Sequence, residues 1–216
     1  MKKHSCRPKW KHFICNKKNF ISMFKEVRMV EIFPYQETWP SEFQKLAVQL
    51  RDALGPLALR IDHIGSTSVP GLAAKDIVDI QITVAALDEP VRSALLTLGY
   101  IQPEGVWRDH RPPHVDGSET DWEKWFFRPP PGQRPTNTHV RVQGRANQRY
   151  ALLFRDYLRA HPLTAEAYAE LKRRLAKHLA DPQMYPEVKD PAVDLIYFPA
   201  EAWAAATGWQ PGPSDA

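Results

Sequence analysis

Arg60-Ile61-Asp62-His63-Ile64-Gly65-Ser66-Thr67-Ser68-Val69-Pro70-Gly71-Leu72-Ala73-Ala74-Lys75, continuing to Asp79-Ile80-Gln81-Ile82-Thr83-Val84, is the stretch on which the fold turns. Leu57 to Ile64 reads as a short strand, with Leu59 and Ile61 alternating with the more polar Arg60 and Asp62, before the chain turns at Gly65. Ser66 to Ala74 follows as a loop with a short helical turn, interrupted by Pro70-Gly71. Side chains alternate along a strand, so Val78, Ile80, Ile82 and Val84 define one face of the next strand and Asp79, Gln81 and Thr83 the other.

Upstream, Val30 to Phe33 reads as an extended entry. Phe43, Leu46, Leu50 and Leu54 recur at helical spacing after Trp39-Pro40-Ser41, with Ser41 as the expected N-cap and Gly55-Pro56 as the stop. Downstream, Asp88 to Leu98 reads as a helix ended by Gly99. Strand-like material lies around Tyr100, Val106-Trp107 and Trp122 to Arg128, with a loop at His114 to Thr120. The proline-rich run Pro129 to Pro135 leads to an alternating strand, Thr138 to Gln143. Beyond Asn147 the apolar spacing is helical: Tyr150, Leu153, Phe154, Tyr157 and Leu158 form one stripe, and Tyr168, Leu171, Leu175 and Leu179 another. Val193 to Ala206 completes the set as a packed helix that Pro199 should kink or shorten. The order predicts an α+β (α/β) domain: a mixed β-sheet flanked by helices, with a helical C-terminal part. Trp107, Trp122, Trp125 and Phe126 are expected in the core or on a sheet face.

At 216 residues and 43% hydrophobic composition the chain can bury a substantial core, which excludes a disordered protein. No apolar stretch has the length of a membrane span, so a cytoplasmic protein without membrane contact is expected. The net charge of +4 is unevenly spread. Residues 1 to 28 hold nine Lys or Arg and one Glu, whereas residues 29 to 216 carry 20 positive and 24 negative side chains, a net of −4. The basicity belongs to the tail, which also holds both cysteines, Cys6 and Cys15. We therefore expect a dispensable, disordered basic extension over 1–28, with translation normally starting at Met29, a folded domain over 29–205 and a C-terminal tail over 206–216. Nucleic-acid binding rests on the first segment alone and ranks last.

The quoted stretch resembles the signature of the GrpB family (UPF0157), in which His-Ile-Gly-Ser-Thr-Ser-Val-Pro-Gly-Leu is followed by Ala-Lys-Pro and an isoleucine-rich strand with one Asp. The likeness extends to Trp39-Pro40, His139-Val140, Phe154 to Arg159, Tyr168, Leu171-Lys172, Tyr185 and Lys189. It implies a nucleotidyltransferase-like fold and a nucleoside triphosphate bound with magnesium, its nucleotidyl group passing to an unknown acceptor. It also implies a link to coenzyme A metabolism, since related domains are joined to dephospho-coenzyme A kinase.

In such a site the turn at Gly65, Ser66 and Thr67 cradles phosphate, because amides at a strand-to-helix turn approach an anion closely; the alternative is an ordinary turn capped by Ser66. Asp79 matches the first metal-binding carboxylate. Gln81 stands where an Asp-x-Asp pair would be completed, and Asp76 points to the opposite face. The neighbouring strand offers no third acid. It offers His139 and Arg141 on one face, as proton acceptor and phosphate clamp or as ordinary sheet residues, and the family has a second histidine near Arg141. Lys75 at the strand mouth neutralises phosphate, beside Asp76, which replaces the family's proline and is expected to loosen that entrance. Arg155 and Lys172 match family positions and reach toward the anion. His63 is expected to have a structural role. The incomplete carboxylate set favours a second possibility, a catalytically degenerate protein that binds a nucleotide or another phosphorylated small molecule.

Overall fold

The computed structural model describes residues 29–216. The expectations for 1–28, its start at Met29 and its cysteines lie outside the described residues. Helix α1 (Trp39–Leu54) precedes strands β1 (Arg60–Ile64) and β2 (Val78–Val84), then helix α2 (Glu89–Thr97), strands β3 (Trp125–Phe127) and β4 (Thr136–Val142), and helices α3 (Ala146–Ala160), α4 (Pro162–His178) and α5 (Tyr185–Thr207). The sheet order is β1-β2-β4-β3, with β2 and β4 parallel and both outer pairs antiparallel. The fold is therefore α+β, a mixed four-stranded sheet with a helical C-terminal part. Among the described residues no helix is long and apolar enough to cross a membrane.

Two cores follow from the alternation. Val78, Ile80, Ile82 and Val84 are fully buried against Phe43, Leu46, Leu50 and Leu54 of α1 and Val91 and Leu95 of α2. A second cluster unites Val69, Leu72 and Ala73 of the loop after β1 with Leu153, Tyr168, Ile196 and Ala200 of the C-terminal helices. The opposite face of the sheet, with Asp79, Asn137, His139 and Arg141, looks toward these helices across a cleft.

Several boundaries differ from expectation. Thr38, not Ser41, is the N-cap of α1. Pro40, whose fixed φ suits a first turn, lets the helix begin at Trp39, and the Ser41 hydroxyl donates back to Thr38 O at 2.9 Å. Gly55–Leu57 forms a 3-10 turn, which shortens the strand expected from Leu57. The material around Tyr100 and Trp107 is reduced to single bridges, Ile101 with Arg128 and Arg108 with Glu123. Trp122 and Phe126 are buried as expected, but Trp107 is 62% exposed. Helix α5 starts eight residues before Val193 and continues through Pro191 and Pro199. Burial of Tyr185, Val193, Ile196, Tyr197, Ala200 and Ala204 outweighs the hydrogen bonds that prolines remove.

Residues beyond α5 return to the sheet. Ala216 N donates to Ile61 O at 3.1 Å, Ile61 N to Ser214 Oγ at 2.9 Å and His63 N to Asp215 Oδ2 at 2.9 Å. The segment expected as a tail thus lies along the free edge of β1.

Candidate functional site

The polar positions of β2 and β4 are brought into register by parallel pairing, Asp79 opposite Asn137, Gln81 opposite His139 and Thr83 opposite Arg141. Together with the turn after β1 and the inner surfaces of α3, α4 and α5 they line a cleft of about 470 Å³, a size suited to a nucleotide-scale ligand. Its wall carries six Lys or Arg against three Asp, although residues 29 to 216 are net negative. Tyr150, Phe154, Tyr168 and Tyr185 supply aromatic surface.

Gly65, at φ +67°, closes the strand-to-turn corner; a Cβ there would lie 2.1 Å from Asp79 Oδ2, so the close approach and the left-handed backbone both require glycine. Ser66–Ser68 then forms one 3-10 turn. The Asp79 carboxylate rests on this corner and accepts from Asn137 Nδ2 at 2.8 Å. Burial raises its pKa, partly offset by that bond and by Lys189, Arg141 and Lys124.

Cations gather on the same corner. Lys172 donates to Ser66 Oγ at 2.9 Å and to Ala73 O, and lies 4.7 Å from the Tyr168 ring centroid. Burial, reinforced by Lys189, pulls its pKa down to about 7. Lys75 sits 4.0 Å over the Tyr185 ring, its pKa lowered by burial and Lys189 and supported by Asp79. Burial also works against the charge of Lys189, but Tyr168 and Asp190 outweigh it and raise its pKa. Gly65, Ser66, Lys75, Asp79 and Lys172, separated in sequence, are thus brought to one end of the cleft.

Other expected site residues have different surroundings. The Thr67 hydroxyl is buried on His63 Nε2 at 2.9 Å, which leaves its backbone as the part available to an anion. His63 stacks on Phe43 in the α1 core and has the structural role expected. Arg155 does not line the cleft: its guanidinium donates to His63 O at 3.0 Å and to Asp215 Oδ2 at 2.7 Å, held by the returning C-terminal segment. His139 is in the cleft, but its Nδ1 lies 3.1 Å from Lys124 Nζ, so the lone pair a proton acceptor needs is engaged. Burial, then Lys124 and Arg141, holds its pKa well below the usual histidine value. Asp76 tightens the entrance rather than loosening it, for its carboxylate accepts from Trp39 Nε1 at 2.8 Å and from Arg134.

A third acid does enter the cleft, from a loop. Asp109, between α2 and β3, accepts from Arg141, Lys124 and Asn147. Burial would raise its pKa, but Arg141 and Lys124 prevail and hold it far below the carboxylate range. Gln81, where a second strand carboxylate was sought, accepts from Arg141 Nη1 at 2.6 Å and donates to Gln148 O at 3.1 Å. Sequence reading missed Asp109, Lys124, Asn137 and Lys189; only Lys189 had a signal, as part of the family likeness.

The chain's own donors, among the described residues, do not by themselves enclose a magnesium ion. Asp79 is one carboxylate, Gln81 is committed to Arg141, and the Asp109 oxygens already take four donors, so these residues alone offer no all-protein cage. Magnesium is ordinarily held by one or two carboxylates with waters and substrate phosphates, and here Asp79 would be the residue to hold it beside a bound triphosphate. Among the described residues no group of three His, Cys, Asp or Glu is placed to hold a metal.

Comparison with known proteins identifies the family. The family model described as GrpB protein matches residues 29–198. A dephospho-CoA kinase of Mycolicibacterium paratuberculosis is 38% identical over 198 residues, covering 84% of this chain and 48% of that protein. The chain therefore spans about half the length of such relatives. A UPF0157 protein of Pseudomonas aeruginosa is 37% identical over 173 residues, 77% of this chain and 66% of its own. The crystal structure of conserved protein GrpB from Enterococcus faecalis superposes with a TM-score of 0.62 at 29% identity, covering 80% of this chain and 99% of that one. The chain belongs to the GrpB family.

Proposed function

We propose that the cleft binds a nucleotide or a closely related phosphorylated metabolite, and that it does so through its own cations. The observation that carries this reading is the convergence of Lys172, Lys75 and Lys189 beside the Gly65-Ser66 turn, in a cleft with a net positive wall inside a net negative domain. Ammonium groups neutralise phosphate, a short turn leaves its first amides without partners inside it, and tyrosine and phenylalanine faces accept a base. The mycobacterial relatives are named as dephospho-CoA kinases, which makes dephospho-coenzyme A and ATP the first ligands to test. We take the cytoplasm as the compartment in which it acts.

Calorimetric titration of both ligands in EDTA tests the proposal. Binding is expected without metal, weakened about tenfold by Lys172→Gln, the loss of about 1.4 kcal/mol that one charge-assisted contact supplies. Because Lys172 in the free site titrates near pH 7, affinity should fall as pH rises through about 7. Absence of binding by either ligand overturns the reading.

Nucleotidyl transfer is the second reading, and the seat of Asp79 against the turn favours it. Incubation with labelled nucleoside triphosphates, magnesium or manganese and a metabolite mixture separates the two. Metal-dependent label transfer abolished by Asp79→Asn would establish the enzyme; binding without transfer leaves the protein as a non-catalytic binder.

A further inference from the structure

The end of the cleft away from Ser66 is built like an anion site and is already filled. Asp109 Oδ1 accepts from Lys124 Nζ at 2.6 Å and Arg141 Nη2 at 2.9 Å, and Oδ2 accepts from Arg141 Nε at 2.8 Å and Asn147 Nδ2 at 3.1 Å. The paired N–H groups of a guanidinium with an added ammonium and amide are the donors that recognise an oxyanion. These donors are held by groups other than Asp109: Arg141 by Gln81 at 2.6 Å, Gln81 by Gln148 O at 3.1 Å, and Asn147 by Glu123 O at 2.9 Å. The arrangement of Arg141 and Asn147 is therefore set by β2, β4 and α3, and Lys124 Nζ also lies 3.1 Å from His139 Nδ1 of β4. The backbone carrying the carboxylate is pinned by Asp109 N to Trp122 O at 2.9 Å, so the part that can leave is the Asp109 side chain, between Arg108 and His110, which are exposed and line the cleft.

The charges are also unequal. Arg141 and Lys124 bring two positive charges to one carboxylate, and the neighbouring His139 stays uncharged, since burial and the same cations disfavour its protonated form. A phosphate dianion matches two cations better than Asp109 does.

We propose that Arg141, Lys124 and Asn147 form a second oxyanion subsite, which Asp109 occupies as an internal plug until a phosphate group of the ligand takes its place. This rests on the cleft being an anion site, and gives that site two phosphate positions and a built-in competitor. The plug lowers apparent affinity by the fraction of molecules in which it is seated.

The test uses the full chain, its Asp109→Asn and Asp109→Ala variants, and each of these with Arg141→Met. Inorganic phosphate is titrated calorimetrically, ATP is titrated alongside, and thermal unfolding is followed with and without phosphate. Asp109→Asn is expected to bind ATP about tenfold more tightly than the natural chain, as removal of a competing state predicts. Asp109→Ala should gain a phosphate equivalent that raises its unfolding temperature, and Arg141→Met should abolish both gains. Unchanged or weaker ATP binding in Asp109→Asn, no phosphate gain in Asp109→Ala, or failure of both variants to fold even in saturating phosphate would each overturn the proposal. Loss of ATP binding in Lys172→Gln with no gain in the Asp109 variants sinks the plug alone. An Arg141-dependent phosphate gain without any ATP binding sinks the nucleotide reading instead.

Discussion

On one face of β2, Val78, Ile80, Ile82 and Val84 are wholly buried among α1 and α2. On the other, Asp79 leans on Gly65, Gln81 is locked between Arg141 and Gln148, and Thr83 Oγ1 is buried with no hydrogen-bond partner among the described residues. The same seven residues of backbone thus serve two kinds of neighbour. The apolar face depends on area and packing, quantities spread over many contacts. The polar face depends on single partners, each with a direction and a charge, where loss of one leaves another buried and unsatisfied.

Gly65 lies where the two faces meet, and its replacement should have the largest effect. In Gly65→Ala the backbone at φ +67° and ψ −170°, a region that only glycine adopts readily, adds roughly 1–3 kcal/mol. A methyl 2.1 Å from the Asp79 carboxylate then forces β2 and the turn apart. The expected outcome is loss of the cooperative unfolding transition together with ligand binding; a variant that folds and binds normally would show that the corner is not shared.

Ile80→Ala should come next, because the side chain is fully buried in the α1 core. Denaturant unfolding should report about 2–5 kcal/mol of lost stability, while the folded fraction keeps its ligand affinity. A large fall in affinity would mean that packing on one face sets geometry on the other.

The smallest effect at neutral pH, which grows only on acidification, concerns His63, the polar exception on the apolar side. Its ring stacks on Phe43 at 4.7 Å and is bonded to Thr67, and burial with Arg159 and Arg155 pulls its pKa down to about 3. Unfolded histidine titrates near about 6.5, so between these values the unfolded chain binds a proton that the folded chain refuses. This group should therefore remove about 1.4 kcal/mol of stability for each pH unit of acidification across that window and nothing above it. Unfolding measured from pH 7 to 4 should show the slope, and His63→Asn should lack it; equal slopes would assign the acid sensitivity elsewhere.

The contrast also explains what was legible in the sequence. Residues 78 to 84 announced their strand because alternation is a local property, and Phe43, Leu46, Leu50 and Leu54 announced α1 for the same reason. The Gly65-Ser66 corner was readable through the family likeness, and Lys172 with it. Asp109 was not, since a carboxylate on an irregular loop has no period and its partners Arg141, Lys124 and Asn147 are far along the chain. Arg155 was misread as an anion ligand because the residues that claim it, Asp215 and His63, approach only through tertiary folding. Ser41 and Pro199 were local judgements overruled by the turn at Pro40 and by the packing of α5.

The segment that lies along β1 has a consequence for how these molecules behave toward one another. An outer strand with bare amides and carbonyls is a template on which a strand of another chain can add. Here Ile61 N and O and His63 N are taken by Ser214, Ala216 and Asp215, and His63 O by Arg155. Residues 214 to 216 therefore leave fewer bare groups on this edge of the sheet for a strand of another chain to pair with, whereas the other outer strand, β3, is not covered by them.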